Sequence, residues 1–301
     1  MTDGSRIATP APAESPEQTP AGRRVNVSAY RGSTILKKAP WTWMIPAYFF
    51  LGATAGMGAS IAGFARISGN RLLARRALLT SAIAFLPCAP LLILDLGRPE
   101  RFYNMLRVFR PTSPMNVGTW ILTAFGGALT AAVGSEVTGL ARRPAAVLTA
   151  VAAALGPALS TYTAVLLANT STPAWHEARR ELPFVFAAGA AASAGAAVCL
   201  ATPSSAAAPA RRLAIAGALA EVLAARLMET RLGDAGAGYR TGAGHRLATA
   251  AEILGLTGAG VLALGGRRRA VVSLGAVCVM GGAAAERFAV WKAGDDSASM
   301  T

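Results

Sequence analysis

The chain has 301 residues, of which 53% are hydrophobic and only 15% charged, against about 25% charged in a typical soluble domain. Its net charge of +14 would suggest nucleic acid in a soluble protein, but here the arginines stand in pairs and triples between long apolar stretches. That pattern sets nucleic acid aside and makes a lipid bilayer the first partner.

Residues 1–40 are rich in Pro, Ala, Ser, Thr and Glu and lack an apolar core, so a loosely ordered tail is expected. No apolar h-region follows the early basic residues, and none follows Arg23-Arg24, so neither a signal peptide nor a twin-Arg signal is read. Charge-free gaps then recur, bracketed by Lys38 and Arg66, Arg76 and Asp95, Arg110 and Glu136, Arg143 and Glu177, Glu181 and Arg211, and Arg269 and Glu286. Nearly all approach the length of about 20 apolar residues that an α-helix needs to cross a bilayer. A buried soluble bundle would instead carry a polar face on most helices. The fold class expected is therefore an all-α polytopic membrane protein with about eight spans. They fall near 43–65, 77–96, 116–135, 145–168, 182–202, 211–229, 247–265 and 270–288, with a tail over 292–301. Many spans are rich in Gly and Ala, as at Gly52, Gly56 and Gly58, which suits close helix packing.

The loops after the first, third, fifth and seventh spans are short and basic, for example Arg71, Arg75 and Arg76, then Arg267 to Arg269. Short basic loops set orientation, so these belong in the cytoplasm and both termini outside the cytoplasmic membrane. Cys88, Cys199 and Cys278 lie inside apolar spans without metal-ligand spacing. His176 and His245 fall in loops, leaving no axial ligand for a haem within the bundle. No metal or haem is therefore expected in this chain. Glu221, Glu229, Glu252 and Glu286 fall within the later spans, together with Arg226. Intramembrane acids mark either a proton path or an ion pair; pairing of Glu221 or Glu229 with Arg226 is favoured.

The second span ends in a polar run, Asp95-Leu-Gly-Arg98-Pro-Glu-Arg101-Phe-Tyr-Asn-Met-Leu-Arg107. An acid at a helix rim is costly unless paired, and Arg98 and Arg101 stand three and six residues on. Pro99 prevents a regular continuation of the helix. The residues alone leave two readings open: an ion-pair knot that fixes the loop, or a redox or proton site.

This run, followed by Ser113-Pro114-Met115 and Gly118-Thr119-Trp120, closely resembles the NrfD/polysulfide-reductase (PsrC-like) membrane-subunit family. Tyr48-Phe-Phe-Leu-Gly52 with Gly56, Tyr162-Thr163 leading to Pro173-Ala-Trp175, and Leu182-Pro183 with Phe186 and Gly195 extend the resemblance over about 41–200. The resemblance implies two four-helix bundles, over 41–170 and 171–291. It implies a quinone or quinol site in the first, and docking to an iron-sulfur subunit that contacts a molybdopterin catalytic subunit. Trp41, Trp43, Tyr48, Asp95, Arg98, Arg101 and Tyr162 would converge on one face. Some relatives carry Asn and His near the start of the first helix, whereas this chain reads Trp41-Thr-Trp43-Met44-Ile45-Pro46. Within such a site Tyr162 is a hydrogen-bond donor to the ring, and Asp95 is the proton acceptor. Arg98 and Arg101 hold Asp95 ionised or stabilise a quinone anion. As interfacial belt residues Tyr162, Trp41, Trp43, Trp120 and Trp175 have an equally ordinary role. A small-solute or ion transporter, or an anchor without quinone chemistry, are the rival functions; no inverted repeat between the halves supports the transporter.

Overall fold

Runs of Ala, Leu, Gly and Val without charge fold as helix in lipid, because backbone hydrogen bonds must then close within the segment. The computed structural model describes residues 39–139, 142–266 and 268–300. The expected loose tail falls outside them except for Ala39 and Pro40. The helices are α1 (Met44–Ile67), α2 (Arg71–Phe85), α3 (Cys88–Asp95), α4 (Asn104–Arg107), α5 (Pro114–Thr138), α6 (Arg142–Ala168) and α7 (Pro173–Glu177), followed by α8 (Leu182–Ala201), α9 (Ala208–Arg231), α10 (Ala237–Arg240), α11 (Gly242–Leu264) and α12 (Arg269–Met300). No strand occurs among the described residues. The chain is an all-α polytopic membrane protein.

Seven segments of the described residues are long and apolar enough to cross a membrane: α1, α2 with α3, α5, α6, α8, α11 and α12. The sixth expected span, 211–229, is present as helix α9. Arg211, Arg212, Glu221, Arg226, Glu229 and Arg231 leave it too polar to qualify on composition. The second span breaks between α2 and α3 at Leu86-Pro87, where proline lacks the N–H that would continue the ladder. The segment read as a C-terminal tail continues α12 to Met300. Lys292 Nζ lies 2.9 Å from both Asp295 and Asp296, pairs at helical spacing that support the extra turns.

Helix α1 packs against α2, α6 and α8; α5 lies on α6, α9 on α8, and α11 on α12. Small residues set these distances. A Cβ on Gly56 would meet the backbone oxygen of Gly156, and one on Gly156 would meet that of Gly56. The α1–α6 crossing is thus backbone against backbone, with Ser160 Oγ donating to Ala53 O at 3.1 Å across it. Such contacts replace the hydrophobic drive that helices lack in lipid.

Contacts between chain segments define the two ends. At one end the start of α1 meets the end of α3 through Thr42 and Asp95, and Trp41 stacks on Trp175 with centroids 5.4 Å apart. Arg231 reaches Glu181 there at 2.7 Å. At the other, Arg66 lies 3.6 Å from Glu136, and Arg269 donates to the carbonyls of Cys199 (3.0 Å) and Thr202 (2.6 Å). Chain alternation places the ends of α9 and α12 and the start of α11 with Asp95, on what is called here the Asp95 face.

Candidate functional site

A cavity of about 530 Å³ opens at the Asp95 face between α1, α3, α5 and α6. Most of its wall is apolar: Ile45, Phe49, Leu92, Met105, Met115 and Leu122 are typical. Its polar groups are few: Tyr48, Tyr162, Asp95 and Thr119. That is the usual composition of a pocket for a flat, mostly apolar ligand oriented by a few polar atoms.

Asp95 terminates α3 and its carboxylate is held by Thr42. The Thr42 backbone N–H donates to Oδ1 at 3.0 Å and the Thr42 hydroxyl donates to the same oxygen at 2.6 Å. The short second distance is that of a charge-assisted bond. Thr42 is thereby both the lead into α1 and the clamp on Asp95.

Tyr48 of α1 and Tyr162 of α6 touch through their hydroxyls. Tyr48 is 1% exposed. Gly118 of α5 makes room for the Tyr162 ring, which a Cβ at that position would overlap. In a hydroxyl pair one group donates and the other accepts, and the accepting group keeps its own O–H for a third partner. The pair therefore presents one donor at the cavity wall.

Of the residues expected to converge, Trp41, Tyr48, Asp95 and Tyr162 line this cavity. Trp43 does not; it is 57% exposed. Arg98 is exposed and forms no ion pair with Asp95 among the described residues. Spacing along the sequence suggested that pair, but the helix ends first. Leu96 and Arg98 adopt extended backbone, at φ −75°, ψ 104° and φ −136°, ψ 90°, which takes Arg98 off the helical register. Arg101 ends the 3-10 turn Pro99–Arg101; its side chain lies outside the described residues.

Two residues that shape this site escaped sequence reasoning. Thr42 acts on a partner 53 positions away, and no local pattern signals that. Asn116, in the first turn of α5, donates from Nδ2 to Met105 O (2.8 Å) and Val108 O (2.9 Å), and its Oδ1 accepts from Arg110 N at 2.7 Å. It ties down the end of the polar run. Its position just after the cap Ser113 and Pro114 was a signal of a helix start, though not of this clasp.

Trp175, read as a belt anchor, is instead 1% exposed and donates from Nε1 to Val290 O at 2.7 Å. The short α7 turns it inward against α12, where Gly294 leaves space for the indole. Two acids of the later helices, Glu221 and Glu252, are paired, with other partners than expected. Glu221 bonds Arg287 at 3.2 Å, and Arg226 bonds Glu252 through two contacts, at 3.1 and 2.5 Å. Arg287, 1% exposed, was the cation missed; its place beside Glu286 at the edge of a charge gap was the available signal.

No curated protein matches this chain. The family model for polysulphide reductase, NrfD, matches residues 34–232, well over half the chain, including every residue of the Asp95 cavity. With seven apolar membrane-length helices and this match, the chain is a member of the NrfD family of membrane subunits, which generally belong to quinone-interacting oxidoreductase complexes.

Proposed function

We propose that this chain is the quinone-reacting membrane subunit of a multi-subunit oxidoreductase, and that the Asp95 cavity is where the quinone ring sits. The observation that carries this reading is the cavity itself, about 530 Å³ and mostly apolar, with a carboxylate and a tyrosine hydroxyl pair in its wall. Those groups fit a ring bearing two oxygens. The hydroxyl pair has one O–H to donate to a ring oxygen. Asp95 is available to take a proton from a quinol hydroxyl or return one to a quinone. Trp41, stacked on Trp175 behind it, and Phe49 bound the apolar side.

Quinol oxidation releases two electrons and two protons, and reduction takes up both. No group of His, Cys, Asp and Glu suited to a metal occurs among the described residues. In this reading the electrons pass to or from an iron-sulfur partner subunit docked at the Asp95 face, which in turn contacts a molybdopterin subunit, as is typical of the family. The first helices, 41–170, form the quinone-binding bundle and 171–291 the second. The membrane is the cytoplasmic one, with the short arginine-rich loops inside and the Asp95 face outside.

Asp95→Asn tests this directly. Asparagine keeps the shape and can still accept from Thr42, but it cannot take up a proton as a carboxylate does. The assembled complex should lose quinol-linked turnover by a factor of about 100 or more, the scale of a lost general base, while all subunits still co-purify. Unchanged turnover in an assembled complex would overturn the assignment of Asp95.

A further inference from the structure

A second cavity, of about 120 Å³, lies between α9, α10, α11 and α12. It is separate from the Asp95 cavity and combines buried acids with unpartnered polar atoms. Glu286 is 3% exposed and Tyr239 is 2% exposed, and both line it. Glu286 Oε1 and the Tyr239 hydroxyl have no hydrogen-bond partner among the described residues. Buried polar atoms of this kind require a ligand, a proton or water.

The charges facing Glu286 do not balance. From α9 come Glu221, Arg226 and Glu229; α11 supplies Glu252 and His245; Arg287 is its own neighbour in the chain. Arg287 is committed to Glu221, and also donates to Phe186 O at 2.9 Å and lies 4.1 Å from the Phe186 ring centroid. Arg226 is committed to Glu252. His245 Nδ1 bonds to Tyr239 O at 3.0 Å. Among the described residues neither Glu229, half-buried near the end of α9, nor the buried Glu286 forms an ion pair, and the Nε of Arg287 is a further buried atom without a partner. A carboxylate alone at this depth is too costly to persist, and it must be neutralised.

The cavity lies toward the Asp95 face. Its lining comes from the Asp95-face halves of α9 and α11 and from the later part of α12. Toward the opposite face the packing is apolar: Leu213–Ala220, Ile253–Leu264 and Ala270–Ala285 contain no charged residue. Glycines close that part. A Cβ on Gly258 would meet the backbone of Gly275 and Val279, and one on Gly282 would meet that of Gly255 and Ala251.

We infer that this cavity is a one-sided binding site for a small monovalent cation, a proton or sodium, held by the Glu286 carboxyl with the Tyr239 hydroxyl beside it, and reached only from the Asp95 face. The ligand supplies the charge that no side chain supplies. A path across the membrane is not part of this assignment. Both Glu286 and Tyr239 lie beyond residues 34–232, the region shared with the family.

Thermal unfolding of the full chain in detergent tests this, titrating sodium chloride against choline chloride over a series of pH values. Wild type should be stabilised either by sodium, with the shift shrinking as pH falls, or by acid alone. The first outcome assigns sodium and the second the proton. Glu286→Gln, neutral without a ligand, should lose that response, and Glu286→Asp should retain it. A full response in Glu286→Gln, or none in wild type, overturns the site. Difference infrared spectra of wild type in the carboxyl C=O region need no variant: a band must change on sodium addition or a pH step, and its absence also overturns the site. In oriented proteoliposomes the change should follow additions on the Asp95 face alone. Neither readout involves quinone, so this site and the Asp95 reading fail separately.

Discussion

The Tyr48–Tyr162 contact joins α1 to α6 through two hydroxyls, one of them fully enclosed. Removing the Tyr162 hydroxyl leaves that of Tyr48 enclosed without a partner, which costs about 1–3 kcal/mol, whereas Tyr162 is partly buried at the cavity wall. Tyr162→Phe should lower the stability of the purified chain by that amount, and Tyr48→Phe by less. The double variant should be less destabilised than the sum of the two, because neither orphan remains. Thermal unfolding of the four proteins in one detergent measures this, and strict additivity would mean that the hydroxyls do not interact. Tyr162 was legible as a candidate donor, since it lies in a family-like stretch. Its partner Tyr48 was expected only as one of the residues converging on one face, because nothing in the local sequence indicates that its hydroxyl meets one on α6. Asp95 shows the opposite failure. It was legible as a candidate, but the partner expected three residues on, Arg98, assumed a helix that in fact ends at Asp95.

At the scale of elements, tight crossings explain where glycine matters. Gly156→Leu should break the α1–α6 contact, since even a Cβ meets the backbone oxygen of Gly56; overpacking of this kind costs about 1–3 kcal/mol or more. Gly127 of α5 has nothing within 4 Å of its Cβ position. Gly127→Ala should leave stability unchanged or raise it by up to about 1 kcal/mol through helix propensity. Melting temperatures of the two variants check the contrast, and equal effects would contradict it. The helices were legible because the bilayer imposes length and excludes charge, two properties that can be counted. The Leu86-Pro87 break needed only the proline. Helix α9 has an apolar interior, Leu213–Ala220; its buried Glu221 is met by Arg287 of α12, and its exposed Arg226 by Glu252 of α11. Pairing between helices far apart in sequence is what a single chain read in order cannot reveal.

Over the whole molecule, aromatic rings connect the two halves. Tyr48 adjoins Phe49 at 6.0 Å between centroids, Phe49 adjoins Phe186 at 5.9 Å, and Arg287 lies over Phe186. The Asp95 cavity and the Glu286 cavity both lie toward the Asp95 face, where the proposed partner subunit docks. The central claim is that quinone occupies the first of these cavities. Photolabelling with an azido-quinone, followed by mass spectrometric mapping of the intact complex, tests it most directly. The label should fall on peptides from Trp41 to Phe49, Leu92 to Met105, Met115 to Leu122 and around Tyr162, and excess unlabelled quinone should displace it. Label confined to α9–α12, or label that unlabelled quinone does not displace, would contradict the account.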